Sequence, residues 1–290
     1  MNGETLKRRG QAVSMRKILG LGKLKWYLRL PVKWAILATT VLAVCFPHPS
    51  LLARHVSRWR DPNALIEPDA ASLLPLLAEL REKMTSDLAP KEALSTVEKF
   101  VYEKIPYEFD WITWGNVDYI PTVDEAIAMG KEDCDGRAVV AASLLRHFGY
   151  ETEIVTDFGH VWVKTDKGET MAPGKRPAVV ATDGGLSLQP GALAQLPKAF
   201  AYGIAPFPLA RELIVLTVIW WLLLHRRTSF GAALVTLALL VDGLLFLRAG
   251  GKNYWEPVVW MQLVGGANML AAVFVQFAWV RLVERTAEAT

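Results

Sequence analysis

Residues 131–165 read KEDCDGRAVVAASLLRHFGYETEIVTDFGHVWVKT, and the prediction of the fold begins with them. The run from Cys134 to His147 is apolar on almost every face, which predicts a buried helix that ends before Gly149. The segments ETEIVT and HVWVKT, on either side of Gly159, are rich in β-branched residues. They predict two strands that follow the helix.

Further helices are predicted before this stretch and a further strand after it. Residues 71–84 and 92–102 carry apolar residues at helical spacing. TVDEAIAMG begins with Thr122 in a capping pattern and ends on Gly130. AVVATD, residues 178–183, predicts a third strand. This order predicts an α+β domain in which helices pack on an antiparallel sheet.

The composition indicates that this domain belongs to a membrane protein. Of the 290 residues, 52% are hydrophobic, and the net charge of +3 is too small to indicate nucleic-acid binding. Residues 7–33 contain many lysines and arginines and no acid. A nucleic-acid arm is one interpretation, but a hydrophobic segment follows at once, which favours a basic flank beside a lipid bilayer.

Four segments are predicted to cross the membrane. The first, residues 34–53, has no formal charge, and Pro47 and Pro49 are expected to break its outer end. A cleaved signal peptide is the rival interpretation. The long basic region and the lack of a small-residue cleavage site favour an uncleaved anchor. The other three predicted spans are residues 208–225, 228–247 and 257–280.

Lysine and arginine in the short loops predict the orientation of these spans. The N-terminal tail, residues 1–33, is basic. The loop between the second and third spans and the C-terminal tail, residues 281–290, carry two arginines each, so we expect all three segments in the cytoplasm. Residues 54–205 are then expected outside the cytoplasm, with a domain core at about residues 92–185. The predicted location is the cytoplasmic membrane, with both termini inside.

Asp242 lies within the third predicted span and has two interpretations. It is either an intramembrane relay or ligand group, or a polar contact on a neighbouring helix. Ala267 and Ala271 have a spacing that permits close helix packing, within the chain or in a homo-oligomer. The candidate partners of Asp242 are Asn268, Gln262, Gln276 and Arg248.

Cys134 is the residue that suggests chemistry. In the first helical turn, backbone N–H groups and the helix dipole favour a thiolate and can hold an oxyanion. Asp133 is the expected N-cap. Its charge, with those of Glu132 and Asp135, opposes thiolate formation, so a nearby imidazolium is needed. His160, at the start of a strand, is the candidate partner.

Cys134 and His160 also fit a purely structural role, since a free cysteine is commonly a small buried hydrophobe. Cys45, the second cysteine, lies in the first predicted span, so no disulfide is expected. Val44 is bulky where a lipoprotein box has a small residue. One cysteine with scattered histidines is not a ligand set, so neither a metal nor a cofactor is expected.

Residues 102–183 resemble the transglutaminase-like core, a superfamily with a papain-like fold. That family has an aromatic stretch, a short helix ending in glycine, G-x-C-x-x-A at the central helix and H-[AV]-W-[VL] on a strand. The corresponding pieces here are KEDCDGRA around Cys134 and HVWV from His160, with Glu132 at the glycine position and Ala138 four residues after the cysteine. The resemblance implies that Cys134 is the nucleophile, that His160 is the base, and that an aspartate on the next strand completes a triad.

The third member of the triad departs from the family pattern, in which a proline follows the aspartate, because Gly184 follows Asp183 here. If DKG forms a tight hairpin turn, Ala172 or Pro173 lies opposite His160, and neither side chain orients an imidazole. If KGETMAPGKRP is instead a long loop, AVVATD becomes the paired strand and Asp183 lies near His160. We favour Asp183, because an imidazole without a partner loses catalytic power. A turn aspartate in an inactive domain is the alternative.

Two functions follow from this interpretation. The first is a membrane-anchored cysteine peptidase, amidase or acyltransferase that acts on a peptide, protein or cell-wall amide outside the cytoplasm. The second is an inactive domain that binds a partner as a membrane-tethered scaffold. Trp111, Trp114 and Tyr119 either line the substrate cleft or belong to the core.

Overall fold

The computed structural model describes residues 25–85, 87–157, 159–172, 179–182, 185–188, 196–225, 227–253 and 256–288. The chain forms two compact units. One, here called the helical unit, comprises Met1–Cys45 and Phe200–Thr290, and the other, the α+β unit, comprises Phe46–Ala199.

Helices and strands are numbered in chain order. The helices are α1 (Trp26–Cys45), α2 (Pro49–Arg58), α3 (Leu74–Lys83), α4 (Pro90–Lys104), α5 (Asp110–Thr113), α6 (Val123–Met129), α7 (Cys134–His147), α8 (Leu196–Ile204), α9 (Leu209–Leu223), α10 (Phe230–Gly250) and α11 (Val259–Glu288). Short 3-10 helices cover Pro62–Leu65 and Ala71–Leu73. The strands are β1 (Thr152–Thr156), β2 (Val161–Thr165), β3 (Gly168–Thr170), β4 (Val179–Thr182) and β5 (Gly185–Leu188).

Among the described helices, three are long and apolar enough to cross a membrane, in α1, α10 and α11. The prediction of four spans is therefore supported for three. The predicted second span, residues 208–225, contains α9, whose 15 residues are short for a crossing. It becomes a fourth span only if α8 and α9, which are bent by 115°, form one broken crossing.

The bounds predicted for the first span, residues 34–53, are wrong. The apolar helix α1 begins at Trp26 and ends at Cys45, and α2 begins separately at Pro49. The charge-free window excluded Lys33, yet this lysine lies inside α1 and its ammonium donates to the carbonyl of Leu222 in α9. A long basic side chain can lie along a helix and reach a polar partner, so the helix extends further toward the N-terminus than the charge-free window.

Close packing in the helical unit occurs between α10 and α11 at two glycines. A Cβ added to Gly265 would lie 2.7 Å from the carbonyl oxygen of Gly243, so neither position admits a side chain without movement. The prediction placed this packing at Ala267 and Ala271, but Ala267 is exposed. Beside this contact, Asn268 donates to the Asp242 carboxylate at 2.5 Å, which supports the interpretation of Asp242 as a polar contact.

The α+β unit contains the predicted helices and antiparallel sheet. The strand order is β3-β2-β1-β4-β5, and every neighbouring pair is antiparallel. In the central pair, Ile154 lies opposite Val163 and Thr156 opposite Val161. The mixed α+β architecture is thus confirmed.

Helix α7 has the predicted bounds, Cys134–His147, and forms the centre of the hydrophobic core. Leu144 and Leu145 are fully buried, as are Phe100 of α4 and Trp162 of β2, and all four belong to one cluster. Full burial of a leucine side chain contributes about 1.5–3 kcal/mol. The apolar sequence of α7 therefore fixes its first turn, with Cys134, against the sheet.

Helix α6 positions the chain that leads into α7. Thr122 and Glu125 form the predicted capping box, with the Glu125 N–H donating to the Thr122 hydroxyl at 3.2 Å. Gly130 ends the helix with φ of 70°, a left-handed conformation that suits glycine.

Candidate active site

Cys134 is the first residue of α7, and its side chain is partly buried. Asp133 is the N-cap, as predicted, and its carboxylate accepts a hydrogen bond from the N–H of Asp135 at 3.2 Å. The backbone N–H of Val161 is hydrogen-bonded to the Cys134 sulfur. The fold therefore brings the thiol to the start of β2, where Val161 directly follows the predicted base His160 in the chain.

The helix start does not stabilise a thiolate as the sequence predicted. Burial, followed by the negative charge of Asp133, raises the pKa of Cys134 well above its ordinary value, and the N–H of Val161 only partly opposes this. The N–H groups of Asp135 and Gly136 already donate to the carboxylates of Asp133 and Asp135. These two amides are therefore not the oxyanion donors that the helix start was expected to provide.

His160 is held by a backbone carbonyl. Its Nε2 lies 2.8 Å from the carbonyl oxygen of Met171, and its ring stacks on Trp162 with an interplanar angle of 13°. A carbonyl only accepts hydrogen bonds, so Nε2 carries the proton and Nδ1 is the basic nitrogen of the neutral ring. Burial lowers the pKa of His160, against the opposing effect of the Met171 carbonyl. The imidazole is therefore neutral at pH 7 and able to accept a proton.

The strand pairing that favoured Asp183 is wrong. Thr165 lies opposite Gly168, so DKG forms the tight hairpin turn and β3, not β4, is the next neighbour of β2. β4 pairs with β1 and β5 instead. Asp183 itself lies outside the described residues. The side chains of Ala172 and Pro173 cannot orient an imidazole, but the backbone carbonyl of Met171 in this hairpin does.

A carboxylate is connected to the imidazole indirectly, through the backbone of Met171. Glu98 of α4 accepts hydrogen bonds from the N–H of Met171 and from the hydroxyl of Thr170, both at 3.0 Å. Met171 has φ of 59°, which is rare for a residue with a side chain and costs roughly 1–3 kcal/mol. Glu98 thus holds the residue whose carbonyl orients His160. No local sequence signal identifies it, because helix and hairpin are far apart in the chain.

Four acidic side chains meet beside the first turn of α7, at Asp110, Glu132, Asp133 and Asp135. In this acidic cluster, one oxygen from each side chain lies within 4.8 Å of the others. Two unit charges at that distance repel by about 3.5 kcal/mol at an effective dielectric constant of about 20. Burial and the neighbouring Asp133 raise the pKa of Glu132 to about 8. From the sequence, Glu132, Asp133 and Asp135 are predicted only to oppose thiolate formation, and their meeting with Asp110 is not predicted.

Backbone pairing assembles the acidic cluster from distant parts of the chain. Tyr107 and Glu132 form an isolated parallel bridge, in which the N–H of Glu108 donates to the Glu132 carbonyl at 3.2 Å. This pairing carries Asp110 to the start of α7. The indole N–H of Trp114 then donates to the Glu132 carboxylate at 3.0 Å.

The aromatic residues before α6 divide between core and surface. Tyr119 is fully buried and its hydroxyl accepts from Arg58 at 2.7 Å, so it belongs to the core. Trp111 is partly exposed and stacks on Phe109, with ring centroids 4.2 Å apart. The Arg137 guanidinium, one turn after Cys134, lies 5.1 Å from the centre of the Tyr107 ring. Trp111 thus remains a candidate for the substrate cleft, and Tyr119 does not.

A comparison with models of known protein families finds no match to this chain, and a comparison with curated proteins finds no significant match. The transglutaminase-like resemblance therefore depends on the order and spacing of the motifs around Cys134 and His160.

Proposed function

We propose that the chain is a membrane-anchored cysteine enzyme of transglutaminase-like type. It would cleave or transfer at amide bonds of a peptide, protein or cell-wall substrate. One observation supports the proposal. The Met171 carbonyl holds the proton of His160 on Nε2, so Nδ1 is the base, and the N–H of the next residue, Val161, is hydrogen-bonded to the Cys134 sulfur. We further propose that the α+β unit lies outside the cytoplasm in the cytoplasmic membrane, on the basis of the distribution of lysine and arginine.

In the proposed reaction the thiol is neutral until the substrate arrives. Cys134 attacks the amide carbonyl carbon as Nδ1 of His160 takes the thiol proton. The imidazolium gives that proton to the leaving nitrogen as the C–N bond breaks, which leaves a thioester on Cys134. Water then releases an acid in hydrolysis, or an amine forms a new amide in transfer, and the Cys134 thiol regains its proton.

A second candidate function is an inactive domain that binds a peptide or protein partner. The raised pKa of Cys134 favours it, as does the occupation of the Asp135 and Gly136 amides by carboxylates. In that case the stacked side chains of Phe109 and Trp111 would hold the partner.

The test uses the full chain in lipid nanodiscs with a mixture of peptides and cell-wall fragments, and mass spectrometry detects cleaved or transamidated products. Wild type is expected to form products, and Cys134→Ser and His160→Ala are each expected to slow formation by at least about 10³-fold. Cys45→Ser removes the other thiol and is the matched control, with an unchanged rate. Peptide retained equally by wild type and Cys134→Ser, without any product, would contradict the enzyme and favour the binding domain.

A further inference from the structure

Helix α2 begins only three residues after the apolar helix α1 ends at Cys45. Three residues extend over about 10 Å at most. α1 has the length and composition of a membrane span, and as a span it would place Cys45 at the edge of the hydrocarbon core. The headgroup layer outside that core is about 5–8 Å thick, so α2 would begin in or beside this layer.

One side of α2 is fixed to the rest of the α+β unit. The Arg58 guanidinium donates to the Tyr119 hydroxyl at 2.7 Å and to the Glu125 carboxylate at 2.6 Å. Nδ1 of His55 accepts from the N–H of Ile120 at 3.2 Å. Because these partners belong to the same unit, α2 is a fixed part of that unit rather than a loose linker.

The other side of α2 carries an open cavity of about 540 Å³, here called the α2 cavity, which is lined by His55, Val56, Trp59 and Arg60. Val56 is 51% exposed although it is apolar. Arg60 is exposed too, and no ion pair within the described ranges includes it. An apolar side chain, an indole and an arginine side by side are typical of a protein surface at the bilayer interface.

The charge of this surface indicates the kind of headgroup that fits it. Residues 46–60 contain three arginines and no acid. Arg54 and Arg58 both pair with Glu125, so one carboxylate is shared between two cations, and Arg60 adds a third cation. The surface is therefore positive, and an anionic headgroup complements it, whereas a zwitterionic headgroup brings no net charge.

We propose that the α2 cavity binds the headgroup of an anionic phospholipid. The phosphate would lie against the Arg60 guanidinium, and the apolar part of the lipid next to the headgroup would lie against Val56 and Trp59. Such binding would dock the α+β unit on the lipid surface. The proposal rests on α1 as a membrane span and does not depend on the proposed enzymatic activity.

Photocrosslinking in nanodiscs provides the test. Val56 is replaced by photoreactive benzoylphenylalanine in the full chain, and the nanodiscs contain equal amounts of phosphatidylglycerol and phosphatidylcholine. Mass spectrometry counts the lipid adducts. We expect phosphatidylglycerol adducts to exceed phosphatidylcholine adducts at least about fivefold, because one arginine near an anionic lipid contributes roughly that factor.

Two variants and a second probe position serve as comparisons. Arg60→Gln is expected to reduce the excess of phosphatidylglycerol to less than about twofold. Arg81→Gln changes an exposed arginine on α3 of the same unit and is the matched control, with an unchanged excess. A probe at Leu42, which is 52% exposed on α1, should capture both lipids without preference. Without any adduct at Leu42, α1 is not a span and the proposal falls with it.

Four results at the Val56 probe would overturn the proposal. Equal capture of the two lipids would mean that the cavity does not select an anionic headgroup. Adducts with peptides of this chain or of a second copy would mean that protein covers the cavity. Loss of lipid adducts in inorganic phosphate would indicate a site for a free anion. An excess that Arg60→Gln leaves as large as Arg81→Gln would place the lipid elsewhere.

The decision does not depend on one variant. Circular dichroism verifies folding, and the exposed neighbour Ser57 is the alternative probe position. If Arg60→Gln does not fold, the excess in the otherwise wild-type chain is measured at rising salt. Salt screens exposed charges, so the excess should fall toward equal capture at about 1 M salt. An excess that salt leaves unchanged would contradict recognition of the headgroup charge.

Discussion

Removing the carboxylate of Glu98 is expected to loosen His160 without touching it. Glu98 accepts hydrogen bonds from Thr170 and Met171, and it is half-buried on α4. The Met171 carbonyl in turn accepts from His160 at 2.8 Å. Without Glu98, the left-handed conformation of Met171 loses the hydrogen bond that holds it. The Nε2–H of His160 then no longer has an acceptor in a fixed position.

The size of the effect follows from these two bonds. A hydrogen bond to a charged group contributes roughly 1.5–3 kcal/mol, and partial exposure of Glu98 favours the low end. Glu98→Ala is therefore expected to cost about 3 kcal/mol. Both bonds are accepted by the same oxygen, so Glu98→Gln, which keeps an acceptor oxygen but loses the charge, should cost about half of that. For a domain of this size, about 3 kcal/mol corresponds to a fall in Tm of about 6–12 °C.

Near-ultraviolet circular dichroism of the full chain in detergent measures the Tm. Reaction of Cys134 with a peptidyl electrophile, followed by mass spectrometry, reports the orientation of the imidazole. Glu103→Ala is the matched control, since this glutamate lies on the same helix, is 65% exposed and pairs with Lys83 only at 3.7 Å. It should cost less than about 1 kcal/mol. Equal Tm values and equal reaction rates for Glu98→Ala and Glu103→Ala would refute the positioning role of Glu98.

The pH dependence of stability gives the next prediction. Burial lowers the pKa of His55 below 6.5, although the negative charge of Asp118 opposes this. The unfolded chain therefore binds a proton at His55 more readily than the folded chain, and the Tm should fall as the pH drops below 6.5. His55→Asn should flatten this fall, and an unchanged slope would contradict it. In the helical unit, Gly265→Ala should lower the Tm, whereas Gly266→Ala should not, because a Cβ at Gly266 meets nothing within 4 Å. Equal Tm values for the two variants would count against the close contact at Gly265. Gly136→Ala, whose Cβ would lie 2.5 Å from the Glu132 carboxylate, should cost about 1–3 kcal/mol in thermal unfolding, and a wild-type Tm would disprove the close approach.

The sequence predicts those parts of the fold that depend on local patterns. The apolar run of α7, the capping box at Thr122 and the β-branched residues of β1 and β2 each determine an element from residues close in the chain. A charge-free window does not give the bounds of the first membrane segment, because α1 extends past the charged residue Lys33. Lys33 shows that one lysine with a backbone partner can lie within the helix.

The candidate site is less predictable because it is assembled from distant segments. Cys134 and the N-cap Asp133 follow from the helix start, and the histidine from its motif. The role of Glu98 requires knowledge that α4 contacts the end of β3. The meeting of Asp110 with Glu132 requires the bridge between two loops. Neither contact leaves a periodic or spaced pattern in the sequence.

The proposed enzyme requires Cys134 and His160 to act as nucleophile and base, and one comparison of reaction rates tests this pair. A peptidyl electrophile is added at pH 7.5 to the full chain in nanodiscs, in a Cys45→Ser background so that a single thiol remains. Mass spectrometry follows the modification of Cys134. We expect His160→Ala to slow this reaction by at least about 10²-fold, the usual contribution of a positioned base. Equal rates with and without the imidazole would contradict it.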